Sequence, residues 1–114
     1  MKILDITTKT REILRDISKS PHYGDEIIHR GISSAVRHLC SMRPEVRYGS
    51  NGALHDVDDI VAPDDNGEID VSERFADGIA YYAASRCYDS DSVDTVNLQL
   101  AQSCLQRAIQ EFQK

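Results

Sequence analysis

The stretch that comes nearest to a ligand-binding pattern is Ala62-Pro63-Asp64-Asp65-Asn66-Gly67-Glu68-Ile69-Asp70-Val71-Ser72-Glu73. Laid on the twelve-residue calcium loop, Gly67 takes the turn position and Asp64 and Asn66 the third and fifth ligand positions. Ile69 takes the apolar eighth position, Asp70 the ninth and Glu73 the twelfth. The first position is Ala62, so a primary carboxylate is missing, and the preceding segment is too short and acidic to be the incoming helix. An acidic turn followed by a helix cap fits these residues better than a calcium site. No heat in a calcium titration is the expected result.

The other candidates are weaker. His22, His29, His38 and His55 include no i, i+4 pair, and no Cys-x-x-Cys is present, so no metal is expected. The serines lie outside any Gly-x-Ser-x-Gly elbow. Gly49-Ser50-Asn51-Gly52 is not followed by the lysine and helix of a phosphate loop. Asp58 and Asp59 are adjacent, so their side chains diverge instead of sharing a proton. These residues predict no enzyme and no cofactor.

The elements that would position such residues are mainly helices. Ile6, Thr10, Ile13, Leu14 and Ile17 recur on one face and predict a helix over about 5–18, with Asp5 or Thr7 as cap, stopped at Ser20-Pro21. Tyr23-Gly24-Asp25 opens a second helix, about 25–42, whose stripe is Ile28, Ile32, Ala35, Val36 and Leu39, and Arg43-Pro44 ends it. Arg30, Arg37 and Arg43 fall off that stripe. Gly31 either marks a close helix contact or is neutral, at a cost to the helix of about 1 kcal/mol. Residues 46–71 hold two turn clusters and short apolar pieces, read as a loop with a short β-hairpin. Ser72 caps a third helix, about 73–88, with Phe75, Ile79, Ala80, Tyr82, Ala83 and Cys87 inward. After the break Asp89-Ser90-Asp91-Ser92, a fourth helix, about 93–112, places Val93, Val96, Leu100, Cys104, Ala108, Ile109 and Phe112 at helical spacing. The expected fold class is mainly α, a four-helix bundle-like single domain with a hairpin or loop insert at about 46–71.

Composition agrees with this. The chain has 114 residues, of which 40% are hydrophobic and 28% charged, as in an ordinary globular domain. No apolar run reaches the ~20 residues that span a bilayer, and Asp5 comes too early for a signal-peptide core, so a cytoplasmic setting and no membrane are expected. Cys40, Cys87 and Cys104 each lie on the apolar side of a helix and read as buried reduced thiols. The net charge of −6 is unevenly spread. Residues 1–50 hold nine Lys/Arg and six Asp/Glu, whereas residues 51–114 hold four and thirteen. This asymmetry suits either head-to-tail packing of copies or simply an unevenly charged surface, and it offers no basic stripe for nucleic acid.

Two stretches resemble a known family. Ile32-Ser-Ser-Ala-Val-Arg-His-Leu-Cys-Ser-Met-Arg-Pro-Glu45 is similar to the second helix of tailed-phage head–tail connector (adaptor) subunits, which often ends in an apolar residue followed by Arg-Pro. Glu73-Arg-Phe-Ala-Asp-Gly-Ile-Ala-Tyr-Tyr-Ala-Ala-Ser-Arg-Cys-Tyr88, then an Asp/Ser-rich break and Asn97 through Phe112, resembles the family's paired C-terminal helices, in which a Tyr/Ala/Arg-rich helix precedes an Ala/Gln-rich helix ending near an aromatic residue. The longer β-rich segment of many relatives is here reduced to about 46–71. The resemblance implies a structural virion protein in the neck at the capsid vertex, assembled in the host cytoplasm. It implies a homo-oligomeric ring, commonly of twelve subunits, between the portal protein and a downstream tail or nozzle protein, with DNA passing through the lumen without specific binding. The acidic stretch 55–94, with twelve Asp/Glu against two Arg, would repel that DNA. Candidate interface or lumen residues are Asp58, Asp59, Asp64, Asp65, Tyr81, Arg37, Arg43 and Arg47. The other reading is a small acidic regulatory or inhibitory module that binds a partner protein.

Overall fold

The computed structural model describes residues 2–15, 23–47, 67–69, 71–90 and 95–114. They form four α-helices: α1 (Ile3–Leu14), α2 (Asp25–Met42), α3 (Ala76–Ser90) and α4 (Thr95–Gln113). Two short 3₁₀ turns, Pro44–Arg47 and Glu73–Phe75, follow α2 and lead into α3. The domain is mainly α and bundle-like, as the periodicity predicts.

The helices are not equal partners. α3 packs against α1, α2 and α4, whereas α2 and α4 barely meet. A helix surrounded on three sides cannot carry one apolar stripe and one polar face, and its sequence reflects this. Gly78, Ile79, Ala80, Ala83, Ala84, Ser85 and Cys87 are all buried, and most are small. Small side chains let neighbouring backbones come close. A Cβ added at Gly31 of α2 would lie 2.9 Å from the Ala83 Cα, so this glycine marks a close helix contact. A Cβ at Gly78 would lie 2.7 Å from the Phe112 ring of α4. The core around α3 is completed by Ile3, Ile6, Ile28, Ile32, Leu39 and Phe112, each fully buried.

α1 starts and ends earlier than the predicted 5–18. It begins at Ile3, so neither Asp5 nor Thr7 caps it. Thr7 is buried inside the helix and donates its hydroxyl to the Ile3 carbonyl. At the other end Arg15 takes the left-handed conformation (φ 56°, ψ 37°), and its N–H bonds back to Arg11 and Glu12 carbonyls. This turn breaks the α pattern before Ile17, which lies outside the described residues, as does the predicted stop at Ser20-Pro21. α2 has the predicted bounds, and its five stripe residues are all buried. Arg11 fastens the two helices, donating to the Tyr23 carbonyl at 3.0 Å and pairing with Asp25.

Ser72 does not cap through its hydroxyl. Its carbonyl instead accepts the Phe75 N–H at 3.1 Å, and the chain enters α3 through a 3₁₀ turn. Asp89 and Ser90, predicted to break the chain, belong to the last turn of α3. Most of the predicted insert, residues 48–66, lies outside the described residues. Its end does not fold back on itself in the described part. Glu68 forms an isolated antiparallel bridge with Lys2, and the Gly67 carbonyl accepts the Ile3 N–H. Ile69 and Val71 are thereby drawn into the core.

Candidate interaction surface

The predicted candidate residues fall into three groups. Asp58, Asp59, Asp64 and Asp65 lie outside the described residues, with Ala62, Asn66 and Asp70 of the calcium-loop pattern, His22 and His55. Arg37 is exposed on α2, and Arg47 ends the 3₁₀ turn after α2. Arg43 and Tyr81 are engaged within the chain.

Arg43 is the more informative. It lies just past α2, where its N–H closes the last turn on the Leu39 carbonyl at 2.8 Å. Its side chain crosses to the end of α4, where Nε donates to the Phe112 carbonyl at 2.5 Å. Its guanidinium stands 5.7 Å from the Phe75 ring centroid and 3.3 Å from Glu45. One planar cation thus satisfies an α4 C-terminal carbonyl, covers an aromatic face and binds an acid. The Glu45 carboxyl is held below its usual range, first by its own backbone N–H and then by Arg43. The geometry makes Arg43 a joint between α2 and α4, two helices that otherwise scarcely touch.

Tyr81 and Tyr82 are both half-buried on α3. Tyr82 turns inward and stacks on Phe112, with His38 beside both rings. Tyr81 lies beneath the Arg107 guanidinium, 5.6 Å from the ring centroid. Arg107 in turn sits 3.4 Å from Glu111.

Open grooves among the described residues run beside α3. One, about 470 Å³, lies beside α1 and is lined by Lys2, Asp5, Lys9, Glu12 and Glu73. The Lys9 ammonium is 2.7 Å from Asp77, which raises the lysine's pKa. Two lysines and three carboxylates line this groove, so it mixes both signs of charge. Another, about 240 Å³, runs between α3 and α4 past Tyr82, Arg86, Asp89, Leu98 and Leu105. Among the described residues, no group of His, Cys, Asp and Glu is placed to hold a metal ion. No helix among them is long and apolar enough to cross a membrane. Cys40 and Cys87 are buried as predicted, and Cys104 is half-buried; burial raises its thiol pKa.

No family model, curated protein or solved structure matches this chain. The surface must therefore be read from its own residues.

Val96 and Leu100, predicted to face the core, are 57% and 39% exposed, and Leu98 is 43% exposed. Val93 lies outside the described residues. The buried line of α4 is Ala101, Ala108 and Phe112, with Asn97, Cys104, Leu105 and Ile109 half-buried beside it. The difference is a rotation of the helix. Arg43, Gly78 and Tyr82 gather around Phe112, and the Ser85 hydroxyl donates to the Ala101 carbonyl at 2.8 Å. Together these contacts hold the 101–108–112 line against α3 and turn Val96 and Leu100 to solvent. The sequence does mark this helix in one way. From Thr95 to Gln113 the only charged residues are Arg107 and Glu111.

Proposed function

We propose that the chain is a structural assembly protein, a head–tail connector subunit that joins a ring beneath a portal in the virion neck. The observation that carries this reading is the way the family-like stretches pack. Residues 32–45, 73–88 and 97–112 make up the second half of α2, most of α3 and most of α4, and they form one body around α3. The features that define the resemblance are the contacts that hold that body together. The Arg of the Arg-Pro helix end is the α2–α4 joint, the Tyr/Ala-rich helix is the central one, and the terminal aromatic, Phe112, sits where Arg43, Gly78 and Tyr82 converge.

In this proposal the copies form a ring that contacts the portal on one side and a tail or nozzle component on the other. The acidic stretch 55–94 repels the DNA that passes through. The role needs no catalytic group and no cofactor. The test is electron microscopy of the purified protein mixed with the portal protein of the same genome. A ring of added density beneath the portal is the expected result. Free portal with unbound small protein would move the reading to a regulatory module, to be pursued by pull-down. Charge reversal at Asp58, Asp59, Asp64 and Asp65 is expected to impair assembly or DNA passage, and normal infectivity would count against an acidic lumen.

A further inference from the structure

The two halves of α4 are held by different means. The C-terminal half is pinned by both α2 and α3. Phe112 is fully buried, and its ring lies so near Gly78 that an added Cβ would stand 2.7 Å from it. The Phe112 carbonyl takes the Arg43 Nε–H, Tyr82 stacks on the ring, and Ala108 is fully buried one turn earlier. Toward the N-terminal half the seam with α3 widens. The groove of about 240 Å³ lies there, with Leu98, Ala101, Gln102 and Leu105 as its α4 wall. From Val96 to Leu100 four residues are exposed and Asn97 is half-buried. Ala101 is buried, and its carbonyl accepts the Ser85 hydroxyl.

The sequence of α4 runs the same way. Thr95, Val96, Asn97, Ser103 and Cys104 are weaker helix formers, whereas Gln106, Arg107, Ala108, Gln110 and Glu111 are stronger ones. Arg107 and Glu111 add a pair across one turn, 3.4 Å apart. The first turn carries no acidic side chain to meet the helix dipole.

We infer that α4 is a hinged arm, whose N-terminal half, 95–104, opens from α3 while its C-terminal half stays docked at Arg43 and Gly78. Opening the first half forfeits little. Val96, Leu98 and Leu100 already face water, so undocking withdraws chiefly Ala101 and one side of Cys104. Off α3, this stretch falls short of the ~12–15 residues that an isolated helix needs in water, so it unwinds. Opening the second half would empty the Phe112 site and break the Arg43 joint, which makes that half the pivot. The open arm frees the Ser85 hydroxyl and bares the α3 wall of the groove, Tyr82, Ser85 and Arg86. The fold thus carries one subglobal opening at a defined place. Fraying from the helix ends gives the opposite order. Residues 101–104 lie at the middle of Thr95–Gln113 and 108–111 lie near its end, so fraying alone would leave the middle better protected.

The test is residue-resolved amide hydrogen exchange of the full chain, followed by nuclear magnetic resonance. Amides 101–104 should be at least about tenfold less protected than amides 108–111. Ser85→Ala should lower 101–104 by a further factor of about three and leave 108–111 unchanged. Arg43→Ala should do the reverse, lowering 108–111 and leaving 101–104 as they were. Equal protection along the helix, a maximum at 101–104, or variants that shift both stretches alike would overturn the proposal, because each means that α4 has no hinge. None of these outcomes involves the portal, so failure here and failure of the connector reading are separately visible.

Discussion

α2 and α4 pack on neighbouring sides of the same central helix, yet they present opposite chemistry to the outside. α2 shows water Asp25, Glu26, Arg30 and Arg37, with Glu26 and Arg30 paired across one turn. α4 shows glutamines and exposed aliphatic residues. Inward the two are alike, since each comes close to α3 through a glycine contact, Gly31 at Ala83 and Gly78 at Phe112. The comparison separates two jobs. The inward contacts hold the fold, and the outward faces decide which side can be taken out of water. An exposed charge resists desolvation, whereas an amide or methyl group gives up its water at far lower cost.

Substitutions at the inward contacts should have the largest effects, because they remove what α2 and α4 share. Phe112→Ala empties a fully buried site bordered by Tyr82, His38 and Gly78, and should cost about 3–5 kcal/mol. Urea denaturation reads it, and a loss below about 1 kcal/mol would show that the aromatic cluster is not central. Next is Gly31→Ala. In an exposed helix this change gains about 1 kcal/mol. Here the new methyl would meet the Ala83 backbone, so the sign should reverse to a loss of about 1–3 kcal/mol. A more stable variant would place the α2–α3 contact farther apart than described.

Arg43→Ala follows, with an expected loss of about 1–2 kcal/mol from a charged hydrogen bond and an aromatic contact. Faster amide exchange in the last turn of α4 than in α1 would localise the effect to the joint. The smallest effect is on pH dependence. Burial raises the Cys104 thiol above its ordinary 9.0 and the Tyr88 phenol above 10.0. The unfolded chain loses these protons first, so their contribution to stability is complete below pH 9 and is lost as pH rises through the folded-state values. Cys104→Ala and Tyr88→Phe should each flatten the alkaline fall in melting temperature, and an unchanged slope would assign the fall to other groups.

How far the sequence could be read differs along the chain. α2 was fully legible, because one side faces the core and the other faces water, so its pattern is strict. α3 was legible in position but not in role. Its buried small residues do not form a single stripe, and only the packing shows it as the central helix. α1 was misjudged at both ends. Its cap is not a side chain, and Arg15 ends the helix in a left-handed turn without glycine. The predicted insert at 46–71 gave turn clusters, but the partner of its described end is Lys2, which lies far away in the sequence.

For the candidate surface, the charge depletion of α4 could be read directly from residues 95–113, but its orientation could not. Val96, Leu100, Ala101, Cys104 and Ala108 allow more than one helical face to pass as the buried one, since alanine and cysteine weigh little against leucine and valine. By itself the sequence determined the helical class, four helices, the stripe of α2 and the uneven charge. The tertiary structure decided which side of α4 is buried. It did so through Arg43 and Gly78 holding Phe112 and through Ser85 on the Ala101 carbonyl, contacts between residues far apart in the chain whose geometry no local pattern encodes.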